Sequence, residues 1–329
     1  MSKISFLYIG DVHFGSNKPE SRIDNFYETA ILKLKEIVDI SKEYNVDAIL
    51  QPGDLFDTPK PSFNVIGDLV NILAPVDKFI MVPGNHEMPG NTESSLERSV
   101  LSLLKGIHFI EFTSKENPIF FEKNGVKVAI TGSRYTTNID TTRKDLYVVD
   151  NKLGDYHIHL AHGMLSDESM GELIQHTTID EIMHTKADIT LVGHDHLGFG
   201  IIERNNKIFV NSGSILRLTC STKEIKRTPK VVLIEIENSE IKLKEIKLKS
   251  GKPGEEVLDR TKLDDKKARD IYKAKLSMFI EEQSSEFDSI AVYELIDSMG
   301  ESEAIDKTIQ EECKDELELI IEELDGQKI

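Results

Sequence analysis

Ile4-Ser-Phe-Leu-Tyr-Ile-Gly-Asp-Val-His13 is the stretch from which the fold is read. Its first six residues are apolar or β-prone and run straight into a glycine, the pattern of a short strand buried on both faces. Asp11 and His13 follow where that strand must end. Spaced i and i+2, they can point the same way from an extended chain. Chemistry-bearing residues just past the end of a buried strand are what an open α/β sheet offers, and the rest of the chain must then alternate strands with helices.

Working outward, it does. Ile23, Phe26, Tyr27, Ala30, Ile31, Leu34, Ile37 and Val38 recur at steps of three and four between Arg22 and Ser41, so this segment is a helix with one apolar stripe. Strands are expected at 47–51, 78–82, 107–112 and 126–131, with helices at 63–73 and near 95–105. Later strands are expected at 156–161, 188–193, 199–203, 207–211, 231–237 and 241–248. Asn205-Asn206 and Asn238-Ser239 read as hairpin turns. From Gly251-Lys-Pro-Gly254 the chain turns acidic. Ile305, Ile309, Cys313, Leu317, Ile320, Ile321 and Leu324 then repeat at helical spacing. The expected division is a main domain over 1–250 and a helical extension over 251–329. Periodicity by itself supports the class α/β.

Four more motifs fall at expected strand ends: Gly53-Asp-Leu-Phe-Asp57, Gly84-Asn-His-Glu87, Ala161-His-Gly163 and Gly193-His-Asp-His196. Each sets a glycine beside the polar groups, which allows tight turns and close approach of backbone to an ion or phosphate. Carboxylate, imidazole and amide oxygen suit a hard-to-borderline divalent cation, and a mixed O/N shell leans to Mn²⁺, with Fe²⁺, Zn²⁺ or Mg²⁺ as alternatives. Two such ions about 3.5–4 Å apart clamp a phosphoryl group and supply hydroxide at neutral pH. They repel each other, so an anion must bridge them, and Asp54 is the choice. His86, beside the amide Asn85, is placed to stabilise the phosphorane or protonate the leaving oxygen. His108, His157, His159, His176 and His184 lack such settings and read as packing or surface residues.

These five motifs in this order resemble the calcineurin-type metallophosphoesterases, over residues 4 to about 215. The resemblance implies a four-layered α/β sandwich, two mixed sheets with helices outside. It implies one metal held by Asp11, His13, Asp54 and His196, a second held by Asp54, Asn85, His162 and His194, and His86 as catalytic histidine. A narrower resemblance rests on Gly53-Asp-Leu-Phe-Asp57 followed by Thr58-Pro-Lys-Pro-Ser62, and on Asn211-Ser-Gly-Ser-Ile-Leu-Arg217. These are similar to the SbcD-type DNA double-strand-break repair nucleases, which act with an SMC-like coiled-coil ATPase of the SbcC type. Some members of that group carry a second catalytic histidine where this chain has Asp57. Asp57 is therefore taken as a substrate contact or a turn-capping acid.

The net charge of −18 speaks against a surface that attracts nucleic acid everywhere. Residues 251–329, however, hold 23 acids against 11 bases and so carry two thirds of that excess. Arg217, Lys223, Lys226, Arg227 and Lys230 cluster with Glu224 as their one acid, which reads either as a phosphate-binding patch or as a solvated loop. No run approaches the roughly 18 apolar residues of a membrane span. Met1 to Gly10 has no cleavage-site pattern, and Cys220 and Cys313 lie far apart. The cytoplasm is the expected location. The expected function is a Mn²⁺-dependent DNA exonuclease or endonuclease in repair, recombination or replication. Its rivals are a small-molecule phosphodiesterase or protein phosphatase on the same scaffold, and a scaffold protein working through its C-terminal helices. Those helices could dock the ATPase or a second copy of the chain in a homodimer.

Overall fold

The structure is a computed structural model. It describes residues 3–88, 93–171, 173–237 and 240–266, together with Ile296, Ile309, Gln310 and Lys314. In chain order the strands are β1 (Ile4–Tyr8), β2 (Ala48–Gln51), β3 (Phe79–Met81), β4 (Glu111–Phe112), β5 (Ile119–Lys123), β6 (Val126–Ser133), β7 (Tyr156–His162), β8 (Leu165–Ser166), β9 (Thr177–Thr178), β10 (Ile189–Gly193), β11 (Gly200–Arg204), β12 (Lys207–Asn211), β13 (Lys230–Glu237) and β14 (Glu240–Lys247). They form two six-stranded sheets, ordered β14-β13-β1-β2-β3-β4 and β11-β12-β10-β7-β6-β5, and β8 pairs with β9 apart from them. In the first sheet β1 to β4 run parallel, β13 is antiparallel to β1, and β14 is antiparallel to β13. In the second, β12, β10, β7 and β6 are parallel between antiparallel edges.

Alternation along β1 explains how the layers meet. Leu7 and Ile9 join the core beneath the helices, while Ile4, Phe6 and Tyr8 join the core between the two sheets. Phe6 is fully buried there and meets Phe121 edge to face at 5.0 Å. Cutting Phe6 back to alanine would cost about 3–5 kcal/mol by the usual cavity penalty. Helix α1 (Phe26–Glu43) starts at Asn25, whose side chain accepts from the Glu28 amide, and buries Phe26, Ala30, Leu34, Ile37 and Val38. Helix α2 (Phe63–Leu73) starts at Ser62 and runs over the range the sequence predicts. The far face of the second sheet is covered by 3₁₀ turns at Lys144–Tyr147 and Ile179–Ile182 around a smaller core that includes Tyr147 and Phe209. The expected four layers are therefore present, the fourth made of short turns.

Several elements depart from expectation. The strand expected over 107–112 shrinks to the two residues of β4, because His108 at φ +58° ends the helix Val100–Gly106 and leaves Ile107 exposed. The helix near 95–105 is two helices, Glu93–Leu96 and Val100–Gly106. Strand β5 was not expected, although Asn124-Gly125, both at positive φ (+51° and +77°), is a strong signal for its hairpin with β6. The chain forms two compact units, 1–258 and 259–329. The first reaches beyond Gly251-Lys-Pro-Gly254 because Leu258 bridges to Arg22 and the Ile23 amide donates to the Val257 carbonyl. Apart from Ile309, the apolar repeat expected from Ile305 to Leu324 lies outside the described residues. Among the described residues no helix is long and apolar enough to cross a membrane.

His157 and His159 lie side by side on β7, buried and facing away from the inter-sheet core. The Leu153 amide donates to His157 Nδ1, and His157 Nε2–H faces Thr131 Oγ1 at 2.8 Å. The Thr131 hydroxyl in turn faces His159 Nδ1 at 2.8 Å, and His159 Nε2–H donates to the Leu146 carbonyl. Every donor and acceptor is used only while both rings are neutral. Burial accordingly pushes His157 down to about 4 and His159 down to about 3. Both folded values lie below the unfolded one near 6.5, so this stability is complete above pH ~6.5 and is lost as pH falls toward 4. At pH 5 the loss should be roughly 2 kcal/mol per ring. Urea unfolding between pH 7 and 5 measures it, and His159→Gln should flatten the dependence. An unchanged slope in that variant would rule the pair out as its source.

Candidate metal centre

Strands β1, β2, β3, β7 and β10 each deliver a motif at their C-terminal ends. Extended alternation is not what aims the side chains, and here the expectation for Asp11/His13 and His194/His196 is corrected. His13, Asp54 and His194 have φ of +47°, +57° and +88°, so the chain turns sharply at each. Such backbone costs about 1–3 kcal/mol per residue outside glycine and persists only where neighbours hold it. The neighbours are visible. The Asp54 carbonyl accepts from the amides of both Val12 and His13 at 2.9 Å, and the His194 amide donates to Asp11 Oδ2 at 2.9 Å. The Asp11 carbonyl accepts from the Ser214 hydroxyl and the Ile215 amide. The glycines are needed for space. A Cβ on Gly53 would lie 2.3 Å from His162 Nδ1, and one on Gly84 would lie 2.1 Å from Asp54 Oδ1.

The seven side chains expected to gather do so. Asp11, His13 and His196 form one group and Asp54, His162 and His194 another. In the first, His13 Nε2 and His196 Nε2 are 2.9 Å apart, and His196 Nε2 is 3.5 Å from Asp11 Oδ2. In the second, Asn85 Oδ1 lies 2.9 Å from His162 Nε2 and 3.0 Å from His194 Nδ1. Asp54 Oδ2 faces both groups, 3.3 Å from His162 Nε2 and 3.7 Å from His13 Nε2. Tautomers follow from the outer contacts. His162 Nδ1–H donates to the Pro52 carbonyl and His13 Nδ1–H to Asp57, so each ring turns Nε2 inward. Against burial, the Asp54 carboxylate raises His162 to about 9, and the Asp57 and Asp54 carboxylates raise His13.

This donor set fits a pair of divalent cations. Asp11 Oδ1 is buried without a hydrogen-bond partner among the described residues, and imidazole nitrogens approach each other across a carboxylate. Burial raises Asp11 to about 6 against the pull of His162. Burial also opposes ionisation of Asp54, but the facing His162 and His13 outweigh it and hold that carboxyl below its ordinary range. Burial pushes His194 to about 4 and His196 to about 3, which leaves them as neutral donors.

Around this cluster the structure adds residues and removes others. Glu87 was not singled out, yet its buried carboxylate accepts from the amides of Asp54, Phe56 and Gly84 and so staples the loop after β2 to the loop after β3. Its place in Gly84-Asn-His-Glu87 was the available signal. Asp57, expected as a substrate contact or a turn-capping acid, is bonded to the cluster. Its Oδ1 accepts from His13 Nδ1 at 3.1 Å and lies 3.5 Å from His86 Nδ1, so it orients two rings. His86, about two fifths exposed, donates Nδ1–H to the Asp57 carbonyl at 2.9 Å. Tyr135, also missed, sets its ring 5.5 Å from that of His194.

Of the five bases in the expected patch, Arg217 and Arg227 turn inward. Arg217 is 2% exposed, with its guanidinium on the carbonyls of Arg227 and Lys252. Arg227 bonds the carbonyls of Ser214 and Leu216 and the Glu224 carboxylate. Both lock the 214–217 loop behind Asp11, and their donors are already used. Lys223 and Lys226 remain exposed, on the short helix Thr222–Lys226.

The sequence profile of the calcineurin-like phosphoesterases matches residues 4–198. The chain is 21% identical over 239 residues to the DNA double-strand break repair protein Mre11 of Methanococcus maripaludis, covering 69% of this chain and 61% of that one. It is 27% identical over 115 residues to Mre11 of Saccharolobus solfataricus, 33% of this chain and 29% of that one. It is 21% identical over 206 residues to the metallophosphoesterase YhaO of Bacillus subtilis, 60% of this chain and 49% of that one. The chain thus spans less than two thirds of each of these relatives. With five motifs gathered around one donor cluster and more than half its length matched, this chain belongs to the calcineurin-like phosphoesterase family and is a metal-dependent phosphoesterase.

Proposed function

We propose that this chain is a DNA phosphodiesterase that uses two Mn²⁺-class ions, acting as an exonuclease or endonuclease in repair, recombination or replication. The observation that carries the reading is the convergence of Asp11, His13, Asp54, Asn85, His162, His194 and His196 in one cluster with His86 beside it. The DNA part draws on relatives named for double-strand break repair. An SMC-like ATPase partner is proposed on the same ground.

Asp11, His13, Asp54 and His196 would hold one cation, and Asp54, Asn85, His162 and His194 the other. When bound, the pair supplies positive charge for the phosphoryl oxygens and lowers the pKa of water at neutral pH. The protein's own part is orientation and proton handling. Asp57 fixes the His13 ring through Nδ1, and the His86 amide donates to Asp54 Oδ1 at 3.0 Å. With His86 Nδ1–H committed to the Asp57 carbonyl, Nε2 is the nitrogen left to donate a proton to the departing sugar oxygen. Tyr135 closes the cluster on the His194 side.

A panel of end-labelled single- and double-stranded DNA incubated with Mn²⁺ and with EDTA is the direct test. Cleavage that requires the metal and weakens steeply with salt is expected. Hydrolysis of cyclic nucleotides or phosphoproteins with every DNA left intact would remove DNA as the substrate. His86→Ala should lower kcat on the order of 10²–10⁴-fold while titration calorimetry shows both ions still bound. A variant with full kcat would end its proposed proton role. Asp57→Ala should instead weaken metal affinity by about 10–100-fold, since it removes the carboxylate that orients a ligating histidine. Unaltered affinity would show that His13 needs no such support.

A further inference from the structure

We propose that a cationic cavity beside the metal centre seats one nucleotide of a single DNA strand, a binding site separate from the metal-holding residues. The inference rests on the DNA phosphodiesterase reading. The cavity, about 540 Å³, opens between the ends of β4 and β6, where the two sheets approach each other. That volume suits one small ligand and is too small for a duplex.

Position links it to the chemistry. Pro83, two residues before Asn85, forms part of its wall, and the Pro83 carbonyl accepts from the Tyr135 amide at 3.1 Å. Arg134 and Thr136, on either side of Tyr135, also line it. Tyr135 thus sits between two lining residues in the chain, with its ring beside that of His194. The segment 134–136 and the loop after β3 belong to both the cavity wall and the surroundings of the metal centre.

Charge identifies the occupant. Lys105, Lys115, Arg134 and Arg143 line the cavity against the single acid Glu116, in a chain of net charge −18. The local sign is opposite to that of the whole protein, which is what a polyanion requires of an acidic enzyme. Lys115 donates to the Asp145 backbone carbonyl, and its charge is offset only through space by Asp145, Asp150 and Glu116. Arg143 is partly neutralised by the Asp145 carboxylate and is half exposed. Lys105 is exposed and stands 5.3 Å from the centre of the Phe112 ring. Phe112 and Leu146 add apolar wall for a sugar or base, while the Thr136 hydroxyl has no hydrogen-bond partner among the described residues.

The test is binding of a fluorescein-labelled oligothymidylate to the full chain by anisotropy, in EDTA so that no cleavage occurs. Lys105→Glu and Arg143→Glu, made singly, should each raise Kd at least fivefold and flatten the dependence of log Kd on log salt by roughly 0.7 per phosphate contact removed. Both side chains are exposed, and thermal melting checks that the variants fold. Lys242→Glu, the same charge change on β14, should leave Kd within twofold. The inference is overturned when the cavity variants bind like the parent, or when Lys242→Glu weakens binding as much as they do. The parent with Mn²⁺ is assayed alongside on DNA and on bis(p-nitrophenyl) phosphate. DNA cleavage with binding untouched by the cavity variants would reject the cavity and keep the DNA reading. Hydrolysis of the small diester with neither cleavage nor binding of DNA would reject both.

Discussion

Asp54 is asked to do four things in one backbone conformation that its side chain does not favour. Its carbonyl accepts the amides of Val12 and His13, its own amide is held by Glu87, its Oδ1 accepts the His86 amide, and its Oδ2 faces His13 and His162. In its left-handed turn at φ +57° the carbonyl points at the β1 turn while the carboxylate faces the two imidazole groups. The bonds to its main chain and side chain offset a strain of about 1–3 kcal/mol. The same bonds make the site a single unit, since moving Asp54 moves the β1 turn, the His86 loop and both donor groups together.

Electrostatics gives that unit its dependence on cations. In water the carboxylates would be ionised and the histidines half titrated near neutral pH. Burial inverts part of this, raising Asp11 and lowering His194 and His196. The cluster is left with a buried carboxylate oxygen that has no hydrogen-bond partner among the described residues, an arrangement that hydrogen bonds alone do not satisfy. A divalent cation resolves it from within. The buried basic residues behind the loop serve a different purpose: Lys33, 1% exposed, donates to the Ile215 carbonyl, and Arg217 and Arg227 take further carbonyls of the same region. They secure the backbone that secures Asp11.

The metal-facing residues were legible because each lies in a motif that sets a polar group beside a glycine at the end of an apolar run. Residues acting through others left no such mark. Glu87 reads as a surface acid until it is known that three amides converge on it, and Asp57 reads as a turn acid until the His13 ring is placed. The basic cluster misled for a related reason: sequence shows charge without burial, and Arg217 differs from Lys223 only in where the 214–217 loop turns it. The positive φ values at His13 and His194 could not be read from residue type, since glycine is the usual signal for such turns. The Asn124-Gly125 turn was legible by that same rule.

The order in which ligands occur along the chain constrains how the site can form. Asp11, His13, Asp54 and Asn85 follow strands of the first sheet, whereas His162, His194 and His196 follow strands of the second. Neither of the two groups proposed to hold the cations comes from one sheet alone, because His196 completes Asp11 with His13 and Asp54 completes His162 with His194. The cluster can exist only once the inter-sheet core of Phe6, Tyr8, Leu50, Ile158, Leu160 and Leu191 has packed. Tyr8 adds direction to that packing, for its buried hydroxyl donates across the interface to the Val192 carbonyl at 2.7 Å, two residues from His194. Apolar burial supplies the force that joins the sheets, and this one bond helps fix their register at the end where the ligands must meet.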